Sequence, residues 1–214
     1  MKDFISWLKG LLYCGSIIRS ERSISKDMDQ KYTGRDYFQS HTDRGVFTKN
    51  YSWWIPCLEA FEAIKNVGKV VSVGCGSGWA EHHMRKFGID IISTELNLNN
   101  PYGFNKTYGE IEYISAQDAV QKYRDRAVLM AWPSYNESWT DEVLDCMGIG
   151  QVLVYIGEDC GCTATDRYHE VLDKNFQHLS RVQIPQWEGI HDDMNIYVKV
   201  ANNHVEKPLE DDCD

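Results

Sequence analysis

Apolar segments alternate with amphipathic segments from residue 69 onward, and this alternation constrains the fold more than any other feature of the sequence. Runs such as 127–131 and 151–156 are almost wholly apolar, which is typical of β-strands buried on both faces. Strands that alternate with helices form a mostly parallel sheet with helices on both faces. The predicted strands are 69–73, 89–94, 111–115, 127–131, 151–156, 179–184 and 194–200. The predicted helices lie near 79–87, 119–123, 137–147 and 167–176.

The last two predicted strands are joined by the segment PQWEGIHDD, residues 185–193. A parallel crossover needs roughly a dozen residues or more, so this connection is too short for one. The last strand is therefore predicted to run antiparallel. The sequence thus predicts a Rossmann-like α/β fold, with an open, mostly parallel sheet of seven strands of which the last is antiparallel. This arrangement differs from a dinucleotide-binding domain, which has two equal halves.

The chain is expected to have three regions. Residues 1–68 are predicted to form an extension of helices and loops that packs on the α/β domain of residues 69–200. Within the extension, apolar spacing predicts a helix that begins near Pro56, whereas the polar and aromatic segment 32–47 is predicted to be a loop. The tail, residues 201–214, is acidic and predicted to be disordered.

Composition narrows the function classes. The net charge of −10 opposes extensive binding to duplex DNA. No apolar segment reaches the ~20 residues that a membrane span needs. The seven cysteines are odd in number and irregularly spaced, which is typical of reduced thiols, and they show no zinc-site spacing. We therefore expect a cytoplasmic protein without a metal site.

Three glycines, Gly74, Gly76 and Gly78, lie between the first predicted strand and the first predicted helix. Glycines at this position let the backbone turn tightly and approach a ligand, while the helix N-terminus offers N–H groups to an anion. A dinucleotide fingerprint would place its third glycine, or an alanine, at position 79. Trp79 occupies that position, and its bulk argues against a dinucleotide.

The triplet Gly74-x-Gly76-x-Gly78 resembles the first motif of the class I S-adenosylmethionine-dependent methyltransferases. The closing hairpin and the strand order resemble that family too, over residues 53–200. The resemblance implies that the cofactor is S-adenosylmethionine and that the reaction is methyl transfer. It assigns the three glycines and Cys75 to the cofactor cradle.

Two acidic residues match further positions of the family. Glu95 follows the second predicted strand, at the place of the carboxylate that binds the ribose hydroxyls, and a carboxylate suits two adjacent hydroxyls. Asp118 follows the third strand, at the place beside the adenine amino group. Asp118 could equally cap the helix that follows it.

The chain departs from the family at two positions. Ser72 stands where many members have an aspartate that contacts the methionine end of the cofactor. Trp132 replaces the Asn or Asp of the motif Asn/Asp-Pro-Pro-Tyr, found in members that methylate amino groups, while Pro133 and Tyr135 match that motif. Trp132 is predicted either to line the cofactor pocket, where its ring would favour the sulfonium, or to belong to the core. Pro133 and Tyr135 are candidates for substrate binding.

Two loops after the later strands supply the remaining candidates. His191 is the predicted catalytic base, because its intrinsic pKa suits proton transfer, and Glu158 is the next candidate. Asp159, Trp187 and Asp192 are candidates for substrate binding. The substrate is expected to be a small molecule, a protein or a confined nucleotide.

Three other functions stay open at this point. The chain could be a binding or scaffold protein that kept the fold without catalysis, since Ser72 and Trp132 depart from the family. It could consume S-adenosylmethionine without transferring the methyl group. A nicotinamide-dependent oxidoreductase is a third alternative, although Trp79 and the closing hairpin argue against it.

Overall fold

The computed structural model describes residues 44–96, 104, 106–158 and 162–201. The predictions made for residues 1–43, for Asp159 and for most of the acidic tail therefore lie outside the described residues. Among the residues described, no helix is long and apolar enough to cross a membrane.

The described residues form one sheet of seven strands with the order β3-β2-β1-β4-β5-β7-β6. Strand β7 pairs antiparallel with both β5 and β6, and every other pairing is parallel. The predicted Rossmann-like sheet with an antiparallel last strand is thus confirmed. The strands are β1 (Val70–Val73), β2 (Ile91–Glu95), β3 (Glu112–Tyr113), β4 (Ala127–Ala131), β5 (Val152–Gly157), β6 (Phe176–Val182) and β7 (Asp193–Lys199).

Helices cover both faces of the sheet. They are α1 (Arg44–Asn50), α2 (Leu58–Asn66), α3 (Trp79–Lys86), α4 (Ala116–Lys122), α5 (Trp139–Cys146) and α6 (Asp166–Asn175). The structure corrects the predicted loop over 32–47, because its last four residues begin α1. Phe47 of α1 is fully buried, and its ring meets those of Trp79 and Trp187 edge to face.

Strand β6 also differs from its prediction, 179–184. The strand begins at Phe176, directly after α6 ends at Asn175. Most of its residues are exposed, because β6 is an edge strand with polar side chains such as Gln177 and Ser180. An apolar pattern therefore could not mark where the strand begins.

The core has two layers, one on each face of the sheet. The first layer joins α1, α2 and α3 to the sheet and contains Phe47, Phe61 and Leu129. The second layer joins α4, α5 and α6 to the other face and contains Val120 and Tyr168. Residues 44–68 thus form a helical layer against the sheet and share its hydrophobic core.

Candidate functional site

The strand order reverses direction between β1 and β4, which are neighbours in the sheet. In an open α/β sheet, ligands bind outside the carboxyl ends of the strands at such a point. A cavity of about 460 Å³ lies here, within the range of ~300–1,000 Å³ typical of small-molecule sites. Its lining includes Trp53, Gly74, Cys75, Gly76, Glu81, Glu95, Phe104, Gln117, Trp132, Pro133, Tyr135, Trp139 and Cys162.

The loop of residues 74–78, called the glycine loop below, contributes residues 74–77 to the lining of this cavity. Gly76 has a φ of +59°, in the left-handed region that favours glycine. A Cβ atom at Gly76 would lie 2.8 Å from the ring of Phe104, and one at Gly78 would lie 2.9 Å from the carbonyl oxygen of Tyr108. Glycine is thus required both for the turn and for the close approach of neighbouring groups.

Glu95 ends β2 beside the glycine loop. Its Oε2 accepts a hydrogen bond of 2.8 Å from the backbone N–H of Gly76, and its Oε1 accepts one of 2.9 Å from that of Leu96. A carboxylate has about four acceptor positions, so each oxygen can accept one more donor. Glu95 thus contacts the glycine loop directly, and its binding of the ribose hydroxyls stays a prediction.

The other wall beside the loop comes from the N-terminal extension. Ser77 Oγ donates a hydrogen bond to the carbonyl oxygen of Tyr51, which ties the segment 51–54 to the loop. Tyr51 and Trp53 both line the cavity. No motif in the sequence marked these residues, because they lie in a segment that carries no recognisable pattern.

Trp132 stands at the end of β4 with an unusual backbone conformation. Its φ is +53°, a region that costs a non-glycine residue about 1–2 kcal/mol. Its indole Nε1 donates a hydrogen bond of 2.7 Å to Asp192 Oδ2, and its ring stacks on Trp53 with 6.0 Å between centroids. The guanidinium of Arg44 lies 5.5 Å from Trp53 and 5.4 Å from Trp132, measured to the ring centroids. These contacts hold Trp132 at the cavity, where it lines the pocket and also packs against the first core layer. Its contact with a sulfonium stays a prediction.

Asp192 lies behind Trp132 and is not among the residues that line the cavity. It is 1% exposed. Burial raises the pKa of Asp192 to about 6, an effect that the hydrogen bond from Trp132 opposes. The structure therefore places Asp192 where it can fix the orientation of Trp132, one side chain away from any substrate in the cavity.

Glu158 and His191 lie together but outside the cavity lining. The backbone N–H of His191 donates a hydrogen bond of 2.6 Å to Glu158 Oε1, while the imidazole itself is 84% exposed. Glu158 is buried at the end of β5, and a hydrogen bond between it and Cys162 raises the pKa of that thiol. Cys162 lines the cavity. The structure thus brings Glu158 to within one side chain of the cavity and leaves the His191 ring on the surface.

Of the remaining predicted residues, two line the cavity and one does not. Pro133 and Tyr135 line the cavity, and Tyr135 is exposed at its mouth. Trp187 is 4% exposed and belongs to the core beside Phe47. Its burial explains why the structure does not present it to a substrate.

Asp118 lies in the first turn of α4 and contacts Ser115, the residue before that helix. Its backbone N–H donates a hydrogen bond of 3.1 Å to Ser115 Oγ, and Ser115 Oγ donates one of 2.7 Å to Asp118 Oδ2. Asp118 is exposed and does not line the cavity, whereas its neighbours Ala116 and Gln117 do. Ser115, and not Asp118, is therefore the N-cap of α4. The contact of Asp118 with the adenine amino group stays a prediction.

Glu81 lines the cavity although the sequence analysis did not single it out. It lies in the first turn of α3, is 2% exposed, and accepts a hydrogen bond of 2.8 Å on Oε1 from Ser72 Oγ. Burial raises the pKa of Glu81, and the hydrogen bond from Ser72 opposes that shift. The sequence did contain one indication of this burial. Glu81 is a charged residue on the side of α3 that is otherwise apolar and buried, between Trp79 and Met84.

Cys75 also lines the cavity, and loss of hydration raises the pKa of its thiol well above the ordinary value. Nearby Glu81 and Glu95 raise it further. Cys75 is therefore an uncharged thiol at neutral pH and a poor nucleophile.

Over the described ranges, no group of three or more His, Cys, Asp or Glu residues could hold a metal ion.

No family model and no curated protein sequence matches this chain. Solved structures do match it. An S-adenosylmethionine-dependent methyltransferase from Archaeoglobus fulgidus is 11% identical with a TM-score of 0.45, and the match covers 65% of this chain and 90% of that one. The magnesium protoporphyrin IX methyltransferase from Synechocystis PCC 6803, solved with bound S-adenosylmethionine, is 11% identical with a TM-score of 0.45, covering 65% and 74%. A protein from Pyrococcus horikoshii OT3 is 10% identical with a TM-score of 0.47, covering 79% and 100%.

Proposed function

We propose that this chain is an S-adenosylmethionine-dependent methyltransferase that acts on a small molecule, a protein or a confined nucleotide. The observation that carries the proposal is the pairing of the glycine loop with Glu95 at one cavity, at the point where the strand order reverses. We also propose a cytoplasmic location, which the pattern of cysteines in the sequence supports.

The residues of the cavity have the chemistry that this cofactor requires. Glu95 has acceptor positions left for the two ribose hydroxyls, and the apolar ring of Phe104 closes over Gly76, where a flat base can pack. Trp132 lines the cavity at the end of β4, next to β1, and an aromatic ring there suits contact with a sulfonium cation. When bound, the cofactor supplies an activated methyl group with a good leaving group.

The chain itself contributes positioning and exclusion of water. The glycine loop and Glu95 fix the nucleoside, while Trp53 and Trp132 stack on each other in the cavity lining. Holding two reacting atoms in line supplies much of the rate enhancement in such a transfer. The acceptor is expected to enter past Tyr135, which is 63% exposed.

Proton removal from the acceptor needs a base only where the nucleophile carries a proton. Glu158 is the proposed base. It does not line the cavity itself, but it is hydrogen-bonded to Cys162, which does. His191 stays a sequence-based prediction, and the exposure of its ring gives it no direct route to a substrate in the cavity.

Calorimetric titration of the protein with S-adenosylmethionine tests the proposal. We expect binding in the micromolar range for the wild type, and a loss of roughly tenfold or more for Glu95→Ala, because about two hydrogen bonds to a charged group are removed. Glu62→Ala, which changes an exposed glutamate on α2 outside the cavity lining, is the matched control and should bind as the wild type does. Absence of heat at several hundred micromolar cofactor would favour a scaffold protein.

Product analysis separates methyl transfer from other uses of the cofactor. Mass spectrometry of the reaction with candidate acceptors should find S-adenosylhomocysteine and an acceptor heavier by one methylene. Formation of 5′-methylthioadenosine without a methylated acceptor would instead indicate an enzyme that consumes S-adenosylmethionine in another reaction.

A further inference from the structure

One carboxylate oxygen of Glu81 is buried and has no hydrogen-bond partner among the described residues. Its Oε1 accepts the hydrogen bond from Ser72, but Oε2 is buried and accepts no hydrogen bond from any residue that the structure describes. A buried carboxylate with an unsatisfied oxygen is costly unless a cation or a donor completes it. Glu81 lines the cavity, so the missing donor can come from a ligand.

Arg85 does not complete this carboxylate. Arg85 lies one turn further along α3 and lowers the pKa of Glu81 through its charge. Its guanidinium hydrogen bonds are made elsewhere, to Ser93 Oγ at 2.8 Å and to the carbonyl oxygens of Ile91 and Glu110. Arg85 therefore acts on Glu81 at a distance and leaves Oε2 open.

Glu81 lies beside Ser72, the position at which this chain lacks the aspartate that many members of the family have. Ser72 is on β1, and the first turn of α3 brings the Glu81 carboxylate across the glycine loop to within 2.8 Å of its hydroxyl. A carboxylate thus occupies the neighbourhood of position 72 although the residue at that position is uncharged. The backbone carbonyl of Ser72 is already used by Thr94 Oγ1, at 2.8 Å.

We infer that Glu81 binds a ligand ammonium group in the cavity and thereby selects for a cofactor that carries a free α-amino group. This inference rests on the proposed function and adds a residue that the family resemblance does not assign. The ammonium donates a charge-assisted hydrogen bond to Oε2, while Ser72 keeps its hydrogen bond to Oε1. Where the carboxyl is protonated before binding, its proton passes to solvent as the ammonium arrives.

The test compares two ligands that differ only in the amino group. They are S-adenosylhomocysteine and its deamino analogue, in which hydrogen replaces the α-amino group. The wild type should bind the parent roughly tenfold to a hundredfold more tightly than the analogue. Glu81→Gln should bind the parent more weakly by a similar factor and should bind the analogue within about twofold of the wild type.

Glu62→Gln is the control for a change of charge at an exposed site and should leave both affinities unchanged. Calorimetry in buffers of different ionisation enthalpy adds a measurement on the wild type alone, which does not depend on whether Glu81→Gln folds. The parent ligand should release a fraction of a proton near the pKa of Glu81, and the deamino analogue should release less. Cys75, Glu95 and Arg85 are the other titratable groups that act on Glu81, and both ligands meet them equally.

Equal wild-type affinity for the two ligands would overturn the inference and leave the proposed function standing. The same conclusion follows if Glu81→Gln weakens both ligands to the same extent. Failure of the wild type to bind either ligand would overturn the proposed function and this inference with it.

Discussion

The two halves of the cavity are built in different ways. The half made by the glycine loop and Glu95 comes from residues 74–95, and its contacts join the ends of the adjacent strands β1 and β2. The half made by Trp53 and Trp132 joins segments far apart in the chain, and it depends on Asp192 from a third segment. The first half is a local motif, whereas the second exists only after the sheet has formed.

This contrast predicts which substitutions act on which ligand group. Changes in the local half should weaken everything that contains the nucleoside. Changes in the assembled half should act on the sulfonium or on the acceptor. The variants below test that division, beginning with the largest expected effect.

Gly76→Ala should be the most damaging change. The new Cβ would meet the Phe104 ring at 2.8 Å, and the φ of +59° disfavours alanine. We expect roughly a tenfold to hundredfold loss of S-adenosylhomocysteine affinity, because a displaced Gly76 N–H loses its hydrogen bond to the Glu95 carboxylate and moves that group. We also expect a loss of about 1–2 kcal/mol in the free energy of unfolding.

Gly148→Ala is the matched control for that change, because a Cβ at Gly148 meets nothing within 4 Å. Calorimetric titration and urea unfolding of both variants measure the two effects. Unchanged affinity in Gly76→Ala would show that the glycine loop does not approach the ligand.

Trp132→Ala should separate the cationic cofactor from its uncharged product. The aromatic face favours the sulfonium by about 0.5–2 kcal/mol, so the affinity for S-adenosylmethionine should fall about twofold to thirtyfold more than that for S-adenosylhomocysteine. Trp132→Phe keeps an aromatic ring and should show a smaller difference. An equal loss for both ligands in Trp132→Ala would place the sulfonium away from this ring.

Asp192→Asn should change how stability depends on pH. Burial raises the pKa of Asp192 from 3.8 to about 6, with Glu158 and Asp193 adding to the shift. The folded wild type therefore holds this proton more tightly than the unfolded chain, and its contribution to stability falls as the pH rises from 3.8 through about 6.

Asp192→Asn lacks this titration, so its stability relative to the wild type should rise by up to about 3 kcal/mol over the same pH interval. Urea unfolding at pH 4 and pH 7 measures the difference. Asp173→Asn, an exposed site on α6, serves as the control. A constant difference across the interval would contradict the burial of an ionisable Asp192.

His191→Ala should have the smallest effect. Its imidazole is 84% exposed and does not line the cavity, so the free energy of unfolding should change by less than about 0.5 kcal/mol. Cofactor affinity and methyl transfer should stay within about twofold of the wild type. A large loss of methyl transfer with normal cofactor affinity would restore His191 as the catalytic base.

The sequence predicted the fold well, for a physical reason. Apolar runs buried on both faces mark the strands directly, and 127–131 was predicted with the same ends as β4. The short segment before the last strand excluded a parallel crossover, which fixed the direction of β7. Glu95 was identified through the family resemblance, which has a carboxylate after the second strand, and the structure places that carboxylate against the glycine loop.

The assembled half could not be predicted in the same way. Trp53 and Trp132 meet only through the folded chain, and neither residue has a neighbour in sequence that signals the contact. Glu81 was missed because a glutamate in a first helical turn is usually a solvated residue that favours the helix dipole. Only its burial and its bond to Ser72 distinguish it.

A crystal structure of the protein with S-adenosylhomocysteine tests the central claim most directly. The account predicts the nucleoside in the cavity at the end of β1, with both ribose hydroxyls donating to the carboxylate of Glu95 and the α-ammonium at Oε2 of Glu81. A ligand bound elsewhere, or a ribose whose hydroxyls do not reach Glu95, would contradict it.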